Sequence, residues 1–421
     1  MSPQRPTVQV IGRRLDPDDH RLRDFLTRGD QPYEFFDAGS PDALELLRRH
    51  EIGEPRLPVV IDGDRVFSPA TVQGLLEAWG DYEPPSLSHY DLAIVGAGPA
   101  GLAAAVYAAS DGLSTVVFER DIPGGQANTT SMIENFFGFP EGVAGSHLTR
   151  LAARQAQRFG AELLLMRGVT RGWRDETGRK YFWADGGVHV TADVAVAAPG
   201  MEWRRLDVEG VDELVGRGVY YGAGRSEATR CADDQVIVVG AGNSAGQAVM
   251  SFADAGAKVT MVVRGDSLRR SMSAYLVKRI EHHDGIDIRL RTQVRDVMAD
   301  DQRLRQVTIE DEGGTVEHLP ADGLFLCIGG VPRTEWAEAT GVELDERGYV
   351  LTGPDLLRGG KRPANWPLDR DPLALETSVP GLFAAGDLRS GSTKRVAGAV
   401  GEGAMAVALA HRRLEELASE R

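Results

Sequence analysis

Two glycine-rich turns, each placed between an apolar strand and a small-residue helix, set the strongest limit on how this 421-residue chain can fold. The first turn, residues 96–101, reads Gly-Ala-Gly-Pro-Ala-Gly, and the second, residues 240–246, reads Gly-Ala-Gly-Asn-Ser-Ala-Gly. In a strand–turn–helix unit such glycines permit a tight turn, let the backbone approach a diphosphate and pack the helix on the strand. The helix amides then face the diphosphate. About 145 residues separate the turns, which predicts two distinct dinucleotide-binding domains.

The residues after the first turn indicate an adenine dinucleotide. The next apolar strand, residues 114–118, ends at Glu119, about 20 residues beyond the turn. A carboxylate at this position can accept hydrogen bonds from the hydroxyls of an adenosine ribose. The predicted contacts in this unit are Gly96, Gly98, Pro99, Ala100, Gly101, Glu119 and Arg120.

The second unit differs from the first at the end of its second strand. Residues 258–263 are followed by Arg264, and Arg269 and Arg270 come one helical turn later. An acid there would repel a 2'-phosphate, whereas an arginine would pair with it. The sequence therefore favours NADPH over NADH, and the alternative is that these arginines form a solvated helix edge. The predicted nicotinamide-nucleotide contacts are Gly240, Gly242, Asn243, Ser244, Ala245, Arg264, Arg269 and Arg270.

Residues 1–80 predict a small α/β domain in the order βαβαββα, with Pro58 opening the third strand. This order resembles a glutaredoxin or thioredoxin domain, and the resemblance implies a cis peptide before Pro58. Such domains carry a Cys-x-x-Cys motif after the first strand, but residues 13–20 contain no cysteine. We therefore expect a docking or structural module, followed by a linker at residues 81–89.

Residues 90–421 resemble the low-molecular-weight thioredoxin reductase family. The resemblance is carried by residues 123–126 with 133–140, by the second glycine turn, by residues 327–332, and by residues 377–387 with 395–397. It implies an α/β fold with two Rossmann-like (three-layer ββα) dinucleotide-binding domains. The NADPH domain, residues 204–330, is inserted in an FAD domain formed by residues 90–203 and 331–421. It also implies a homodimer, and further FAD contacts from Gly125, Gln126, Asn135, Asp387, Arg395, Val396 and Ala397.

One departure from the family decides the chemistry we expect. The family carries its redox Cys-x-x-Cys shortly before the second glycine turn, and alignment on residues 218–221 places Gly222, Ala223, Gly224 and Arg225 there instead. The chain has two cysteines, Cys231 and Cys327, and no Cys-x-x-Cys anywhere. A dithiol relay is therefore not expected. Family branches without the motif include ferredoxin-type NADP reductases and reductases of small-thiol disulfides, but no aromatic residue follows Phe383, which counts against the ferredoxin type.

Two functions follow from this sequence. The first is an FAD-dependent oxidoreductase that passes hydride from NADPH to FAD and on to a quinone, a small disulfide, oxygen or a redox protein. In that case cofactors carry the chemistry and we identify no catalytic side chain. The small residues 222–224 would leave the flavin open to an acceptor, with Arg225 and Glu227 shaping the opening. The alternative is a non-catalytic flavin- or nucleotide-binding redox sensor, in which the N-terminal domain docks a protein partner.

Composition excludes other classes. A formal net charge of -15 opposes nucleic-acid binding, which needs clustered lysine and arginine. No apolar run approaches the ~20 residues of a membrane span, and no secretory signal begins the chain, so we expect a cytoplasmic protein. No metal site is expected. The Gly-, Pro- and charge-rich residues 353–370 predict a surface loop.

Overall fold

A computed structural model describes residues 6–130, 132–222, 233–363 and 365–420. The chain divides into two compact units. One unit contains Met1–Leu75, Thr129–Met132 and Trp203–Gly330, and the other contains Leu76–Asn128, Ile133–Glu202 and Val331–Arg421. Within the described ranges no helix is long and apolar enough to cross a membrane.

The N-terminal elements follow the predicted order. They are β1 (Val8–Gly12), α1 (Pro17–Arg28), β2 (Tyr33–Asp37), α2 (Pro41–Arg49), β3 (Val59–Asp62), β4 (Arg65–Phe67) and α3 (Val72–Trp79). The sheet has the order β2-β1-β3-β4, with β1 parallel to β2 and antiparallel to β3. The peptide between Leu57 and Pro58 is cis, as expected. The apolar pattern of the sequence predicts the first helix over residues 20–28. Helix α1 begins three residues earlier, at Pro17, because Asp16 caps it and Pro17 supplies a preset first turn.

The middle of the chain contributes most of one large sheet. The elements of this part of the chain are β5 (His89–Val95), α4 (Pro99–Ser110), β6 (Thr115–Phe118), α5 (Gly145–Arg158), β7 (Glu162–Leu164), β8 (Val169–Arg174), β9 (Lys180–Ala184), β10 (Val188–Ala197), β11 (Met201–Trp203) and β12 (Val219–Tyr221). Strands β5 to β10 belong to the large sheet, and β11 and β12 do not. The strand order is β7-β6-β5-β10-β9-β8, in which β5, β6, β7 and β10 are parallel and β8 and β9 are antiparallel.

The second glycine turn lies in a separate parallel sheet. The elements here are β13 (Gln235–Val239), α6 (Asn243–Asp254), β14 (Lys258–Val263), α7 (Ala274–Glu281), β15 (Ile286–Leu290), β16 (Thr292–Asp300), β17 (Arg303–Asp311), β18 (Val316–Pro320), β19 (Gly323–Leu326) and β20 (Gly330–Pro332). The five-stranded sheet has the order β12-β19-β13-β14-β15, and β16, β17 and β18 form an antiparallel sheet of their own. The alanines and branched residues of α6 pack on this parallel sheet in a common core.

The C-terminal elements return to the large sheet. They are α8 (Ala337–Thr340), β21 (Leu382–Ala384) and the long helix α9 (Val396–Glu420). Strand β21 pairs in parallel with β10, and α9 packs closely on α4. A Cβ on Gly403 of α9 would lie 2.1 Å from the Ala100 carbonyl oxygen of α4, so the two helix backbones are in direct contact.

The surface loop predicted at residues 353–370 carries buried side chains that the sequence did not indicate. Leu356 and Trp366 are buried. Arg370 donates two hydrogen bonds, of 2.6 and 3.1 Å, to the fully buried carboxylate of Glu376, and two more to Glu416 of α9. Burying Glu376 is tolerated because a guanidinium meets both of its oxygens. The segment therefore ties α9 to the chain that enters β21.

The N-terminal domain contacts the five-stranded parallel sheet within the same unit. The Arg14 guanidinium lies 2.9 Å from the Asp234 carboxylate, and the ring centroids of His20 and Tyr220 are 4.8 Å apart. A Cβ on Gly216 would lie 3.3 Å from the Cα atom of Pro17, so the two backbone segments are in close contact there. The docked edge of the domain is thus the connection from β1 to α1, where the sequence lacks the expected cysteines.

Buried ionic groups fix that connection. The Asp19 carboxylate accepts a hydrogen bond from the Arg13 amide, and burial raises the pKa of Asp19. The Arg23 side chain is fully buried, and its guanidinium donates to the carbonyl oxygens of Arg13 and Arg14 at 3.3 and 2.6 Å. Buried side chains therefore bind both an amide and two carbonyl oxygens of the loop. These hydrogen bonds fix the backbone that carries Arg14 next to Asp234.

Candidate functional site

The strand register brings three sequence motifs to one edge of the large sheet. Phe118 pairs with Val95, Val95 with Ala197, and Ala197 with Ala384. All four strands run parallel, so the residues that follow them meet at the carboxyl edge. The first glycine turn, Glu119 and the segment beginning at Ala385 are therefore neighbours. Open α/β sheets bind dinucleotides at this edge.

The glycines of the first turn are required for different reasons. Gly96 has φ +100°, and a Cβ there would lie 2.3 Å from the Ala198 carbonyl oxygen. A Cβ on Gly101 would lie 1.8 Å from the Gly96 carbonyl oxygen, so this glycine lets α4 pack on the turn. Gly98 is the N-cap of α4, where it makes no side-chain cap hydrogen bond, and a Cβ on it would meet no atom within 4 Å. The space beside Gly98 at the start of α4 is thus open, which fits a diphosphate at this helix N-terminus.

Glu119 does more than the sequence predicts. Its carboxylate is buried and accepts hydrogen bonds from the Ala97 amide at 2.8 Å and the Asp121 amide at 3.0 Å. Burial raises the pKa of Glu119, and the two amides act in the opposite direction. The side chain therefore holds the glycine turn in place, and each oxygen keeps a second lone pair for a ribose hydroxyl. Arg120, the next residue, is exposed.

The segment after Glu119 packs against the glycine turn. The Gly124 amide donates to the Ala97 carbonyl oxygen at 2.7 Å, and a Cβ on Gly125, which has φ +53°, would lie 3.3 Å from the Gly98 Cα atom. Gln126 Nε2 donates to the Met201 carbonyl oxygen at 3.1 Å.

The same segment contains a residue that sequence reasoning missed. Asn128 is fully buried and donates from Nδ2 to the Pro123 carbonyl oxygen at 3.0 Å, while its Oδ1 has no hydrogen-bond partner among the described residues. An orphaned buried acceptor beside the glycine turn fits a ligand donor. Its only signal in the sequence is a polar side chain two positions after Gln126. Asn135, which was predicted, is exposed.

Asp387 follows β21 at the same edge. Gly386 has φ +82°, and a Cβ on it would lie 3.0 Å from the Ala100 Cβ, so this segment packs beside the first turn. Burial raises the pKa of Asp387, while nearby Lys394 lowers it and Glu402 raises it. Glu402, which the sequence did not indicate, accepts from the Gly386 amide at 2.7 Å. The predicted residues Arg395, Val396 and Ala397 lie at the start of α9.

The second glycine turn repeats the geometry of the first. Gly240 has φ +143°, and a Cβ there would lie 2.3 Å from the Cys327 carbonyl oxygen. Gly242 is the N-cap of α6, and a Cβ on it would meet nothing within 4 Å. Asn243 Oδ1 accepts from the Ser273 amide at 2.8 Å, which fixes the first residue of α6. Ser244 and buried Ala245 follow in the first helical turn.

The three predicted arginines are not equivalent. Arg264 is exposed at the end of β14. Arg269 binds both oxygens of Glu281, at 2.7 and 3.0 Å, and Arg270 lies 3.3 Å from Asp266. A cleft of about 490 Å³ opens beside the strand end, lined by Arg264, Asp266, Arg291, Thr292, Gln293 and Glu312. No sequence motif indicated Arg291 or Glu312.

The predicted loop in place of the redox motif is only partly described. Gly222 has φ +93°, and a Cβ on it would lie 3.0 Å from the Trp203 ring. Ala223, Gly224, Arg225, Glu227 and Cys231 lie outside the described residues. Cys327 is buried, and burial raises the pKa of its thiol to about 12. A thiol in this state remains protonated and is a poor nucleophile.

Comparison with known proteins places this geometry in a family. The profile of the pyridine nucleotide-disulphide oxidoreductase family matches residues 90–403. A thioredoxin reductase of Bacillus subtilis (strain 168) is 33% identical over 329 residues, which cover 78% of this chain and 96% of the relative. The T. acidophilum thioredoxin reductase structure has a TM-score of 0.67 at 28% identity, covering 77% of this chain and 98% of that one. The Lactococcus lactis thioredoxin reductase (FR conformation) has a TM-score of 0.68 at 27% identity, covering 78% and 99%.

These structures confirm the predicted mixed α/β fold. The matched residues include both glycine turns and the segment that ends at Asp387. The chain belongs to the pyridine nucleotide-disulphide oxidoreductase family and is an FAD-dependent oxidoreductase of the thioredoxin reductase-like type.

Proposed function

We propose that this protein transfers hydride from NADPH to FAD and on to an acceptor outside the chain, without a cysteine relay. The observation that carries the proposal is the pair of open glycine turns, each at the N-terminus of a helix with no side-chain cap hydrogen bond. The turns supply two dinucleotide sites in one chain, as hydride exchange between two dinucleotides requires.

The FAD site consists of residues that converge at one sheet edge. Bound FAD supplies the redox chemistry, and the chain binds and orients it. The amides of α4 receive the diphosphate, Glu119 accepts from the ribose, and Asp387 accepts from a hydroxyl of the ribityl chain. The other residues proposed at this site are Gly96, Gly98, Pro99, Ala100, Gly101, Arg120, Gly125, Gln126, Asn135, Arg395, Val396 and Ala397, and buried Asn128 joins them.

For the nicotinamide nucleotide we propose NADPH in preference to NADH. Arg264 ends β14 where an NADH-binding domain would carry an acid. Arg269 and Arg270 contribute positive charge close by, although each is paired with a carboxylate. The glycine turn at residues 240–246 and the start of α6 receive the diphosphate.

The acceptor cannot be reached through a dithiol of the family type, because the chain has no Cys-x-x-Cys. The relatives above are named thioredoxin reductases, but the thiol of Cys327 is buried and protonated at neutral pH. We therefore propose a quinone, a small disulfide, oxygen or a redox protein as the acceptor. We further propose that the protein is a homodimer.

The N-terminal domain supports a second candidate function. We propose that it is a thioredoxin-like domain without redox cysteines that serves as a docking module. Its contacts from Arg14 and His20 to the nucleotide-binding sheet favour a role in which it relays nucleotide binding to a protein partner. In that case the protein would be a flavin- or nucleotide-dependent redox sensor.

Anaerobic stopped-flow spectroscopy separates the two functions. The purified protein should be yellow, with about one FAD per chain, and an enzyme should bleach rapidly with NADPH. Absence of bleaching over minutes would favour the sensor. A colourless protein that does not take up added FAD would contradict both the enzyme and a flavin-dependent sensor.

A cysteine variant tests the missing relay. Replacing Cys231 and Cys327 together with serine should leave NADPH-dependent flavin reduction intact. An insulin-reduction assay with added thioredoxin should show no turnover by the wild-type protein. Thioredoxin turnover that disappears in the double variant would show that a cysteine carries electrons and would overturn the proposal.

A further inference from the structure

We propose that Arg291 joins Arg264 in a two-arginine subsite for the 2'-phosphate of NADPH, and that Glu312 weakens this subsite. The inference rests on the proposed use of NADPH. It adds Arg291 and Glu312, which lie more than 20 positions from the predicted arginines. Arg291 connects β15 to β16, and Glu312 lies between β17 and β18.

The strand register places the two arginines side by side. Val263, the last residue of β14, pairs in parallel with Leu290, the last residue of β15. Arg264 and Arg291 are therefore the next residues on adjacent parallel strands, at the carboxyl edge of the sheet. Both line the same cleft of about 490 Å³.

The backbone around Arg291 is held in place. Its amide donates to the Gly265 carbonyl oxygen at 2.9 Å, which ties the ends of β14 and β15 together. The Glu312 amide donates to the Arg291 carbonyl oxygen, also at 2.9 Å. Arg291 has φ +53°, a left-handed conformation that a non-glycine residue adopts at a cost. The side chain is thus directed by a constrained turn.

The cleft lies one strand away from the second glycine turn. Val239 of β13 pairs with Val262 of β14, and the Gly240 amide donates to the Val262 carbonyl oxygen at 3.0 Å. A dinucleotide whose diphosphate lies at the start of α6 places its adenosine ribose toward the end of the adjacent strand. That end is where Arg264 and Arg291 are found.

The charges around the cleft favour these two guanidiniums over Arg269 and Arg270. Arg269 is bound through both oxygens of Glu281, and Arg270 is paired with Asp266. Among the described residues no ion pair includes Arg264. The Arg291 guanidinium lies 3.7 Å from the Glu312 carboxylate, and both side chains are mostly exposed, so this pair is loose.

A phosphate monoester carries about -1.5 to -2 charges at neutral pH and is matched by the planar fork of arginine. It would therefore displace Glu312 as the partner of Arg291. The Glu312 carboxylate remains near the phosphate and opposes it, so the two residues have opposite effects on the same ligand.

Calorimetric titration of the FAD-loaded protein tests the subsite. The probes are NADP⁺, NAD⁺, adenosine 2',5'-bisphosphate and AMP, because the first and third carry the 2'-phosphate and the others lack it. Arg291→Gln should weaken binding of the two 2'-phosphorylated probes by about 5- to 10-fold, as expected for one charge-assisted contact at a partly exposed site. Glu312→Gln should strengthen the same probes by about 2- to 5-fold, and more at low salt.

Neither variant should change binding of NAD⁺ or AMP by more than about 2-fold, which also reports that the fold is intact. Arg305→Gln is the matched control, since Arg305 is a partly exposed arginine of the same unit that does not line the cleft. Equal losses for all four probes, or no change for Arg291→Gln, would overturn the subsite. If the wild-type protein binds NAD⁺ as tightly as NADP⁺, the proposed NADPH preference fails instead.

Discussion

Replacing Gly98 with alanine should separate flavin binding from folding. Gly98 has φ -71° and ψ -177°, a conformation that alanine adopts without strain. A Cβ on Gly98 would meet no protein atom within 4 Å. Reduced chain entropy in the unfolded state favours the variant by ~0.4–1 kcal/mol, and the weaker N-cap opposes it by a similar amount. We therefore expect the unfolding free energy of the apoprotein to change by less than about 1 kcal/mol.

The same methyl group should strongly reduce FAD affinity. It would fill the space through which a diphosphate approaches the first amides of α4. Each charge-assisted hydrogen bond lost in this way costs about 1.5–3 kcal/mol, or roughly 10- to 150-fold in affinity. The assay is FAD titration of apoprotein, followed by flavin fluorescence quenching, together with urea unfolding of the apoprotein.

Gly101→Ala is the informative companion to this variant. A Cβ on Gly101 would lie 1.8 Å from the Gly96 carbonyl oxygen, so α4 must move outward before the two atoms reach an allowed separation. This variant should lose both stability, by ~1–3 kcal/mol or more, and FAD. If Gly98→Ala binds FAD as tightly as the wild-type protein, the diphosphate does not lie at this turn and our assignment of the site is wrong.

Three further predictions concern residues outside the dinucleotide sites. Burial, with a smaller contribution from a nearby arginine, lowers the pKa of Lys180 to about 7. Between about pH 7 and pH 10.4 the unfolded chain holds this proton and the folded chain does not. This lysine therefore makes the unfolding free energy rise by about 1.4 kcal/mol per pH unit. Urea melts across that pH range should show the slope in the wild-type protein and its loss in Lys180→Met. Arg370→Ala leaves the buried Glu376 carboxylate unpaired and should cost ~3–5 kcal/mol in thermal or urea unfolding, and a loss below 1 kcal/mol would contradict the role of this pair. Exchanging the charges of Arg14 and Asp234 should restore most of the ~0.2–1 kcal/mol lost in either single reversal, as measured by a double-mutant cycle, and zero coupling would show that the contact does not form in solution.

Much of the fold could be predicted because its signals are local. The glycine turns, the apolar strands beside them and the N-terminal element order follow from chain periodicity and from the few residues that tolerate positive φ. The start of α1 was misplaced because the cap at Asp16 outweighs the apolar pattern that begins later. The burial of Leu356 was missed because a segment rich in glycine, proline and charge gives no sign of its tertiary partners.

The candidate site residues could also be predicted only where their positions follow from local signals. Glu119 and Asp387 could be expected at a sheet edge because each ends an apolar strand. Asn128, Arg291 and Glu312 could not be expected, since their positions depend on how distant strands register and which buried atoms lack partners. The pairing of Arg269 likewise depends on α7, whose last residue, Glu281, lies 12 residues further along the chain.

The capping of α1 has a consequence for thiol chemistry. Reactive cysteines in thioredoxin-type loops have low pKa values because free helix amides stabilise the thiolate. Here Asp16 Oδ1 accepts from the amides of Asp18 and Asp19, at 3.0 and 3.3 Å, and its negative charge lies at the same helix end. A cysteine introduced at position 13 or 14 would find those amides occupied and a carboxylate beside it, so its thiol would stay protonated at neutral pH. A Cys-x-x-Cys placed at positions 14 and 17 would therefore not form a redox centre while the Asp16 carboxylate caps the helix.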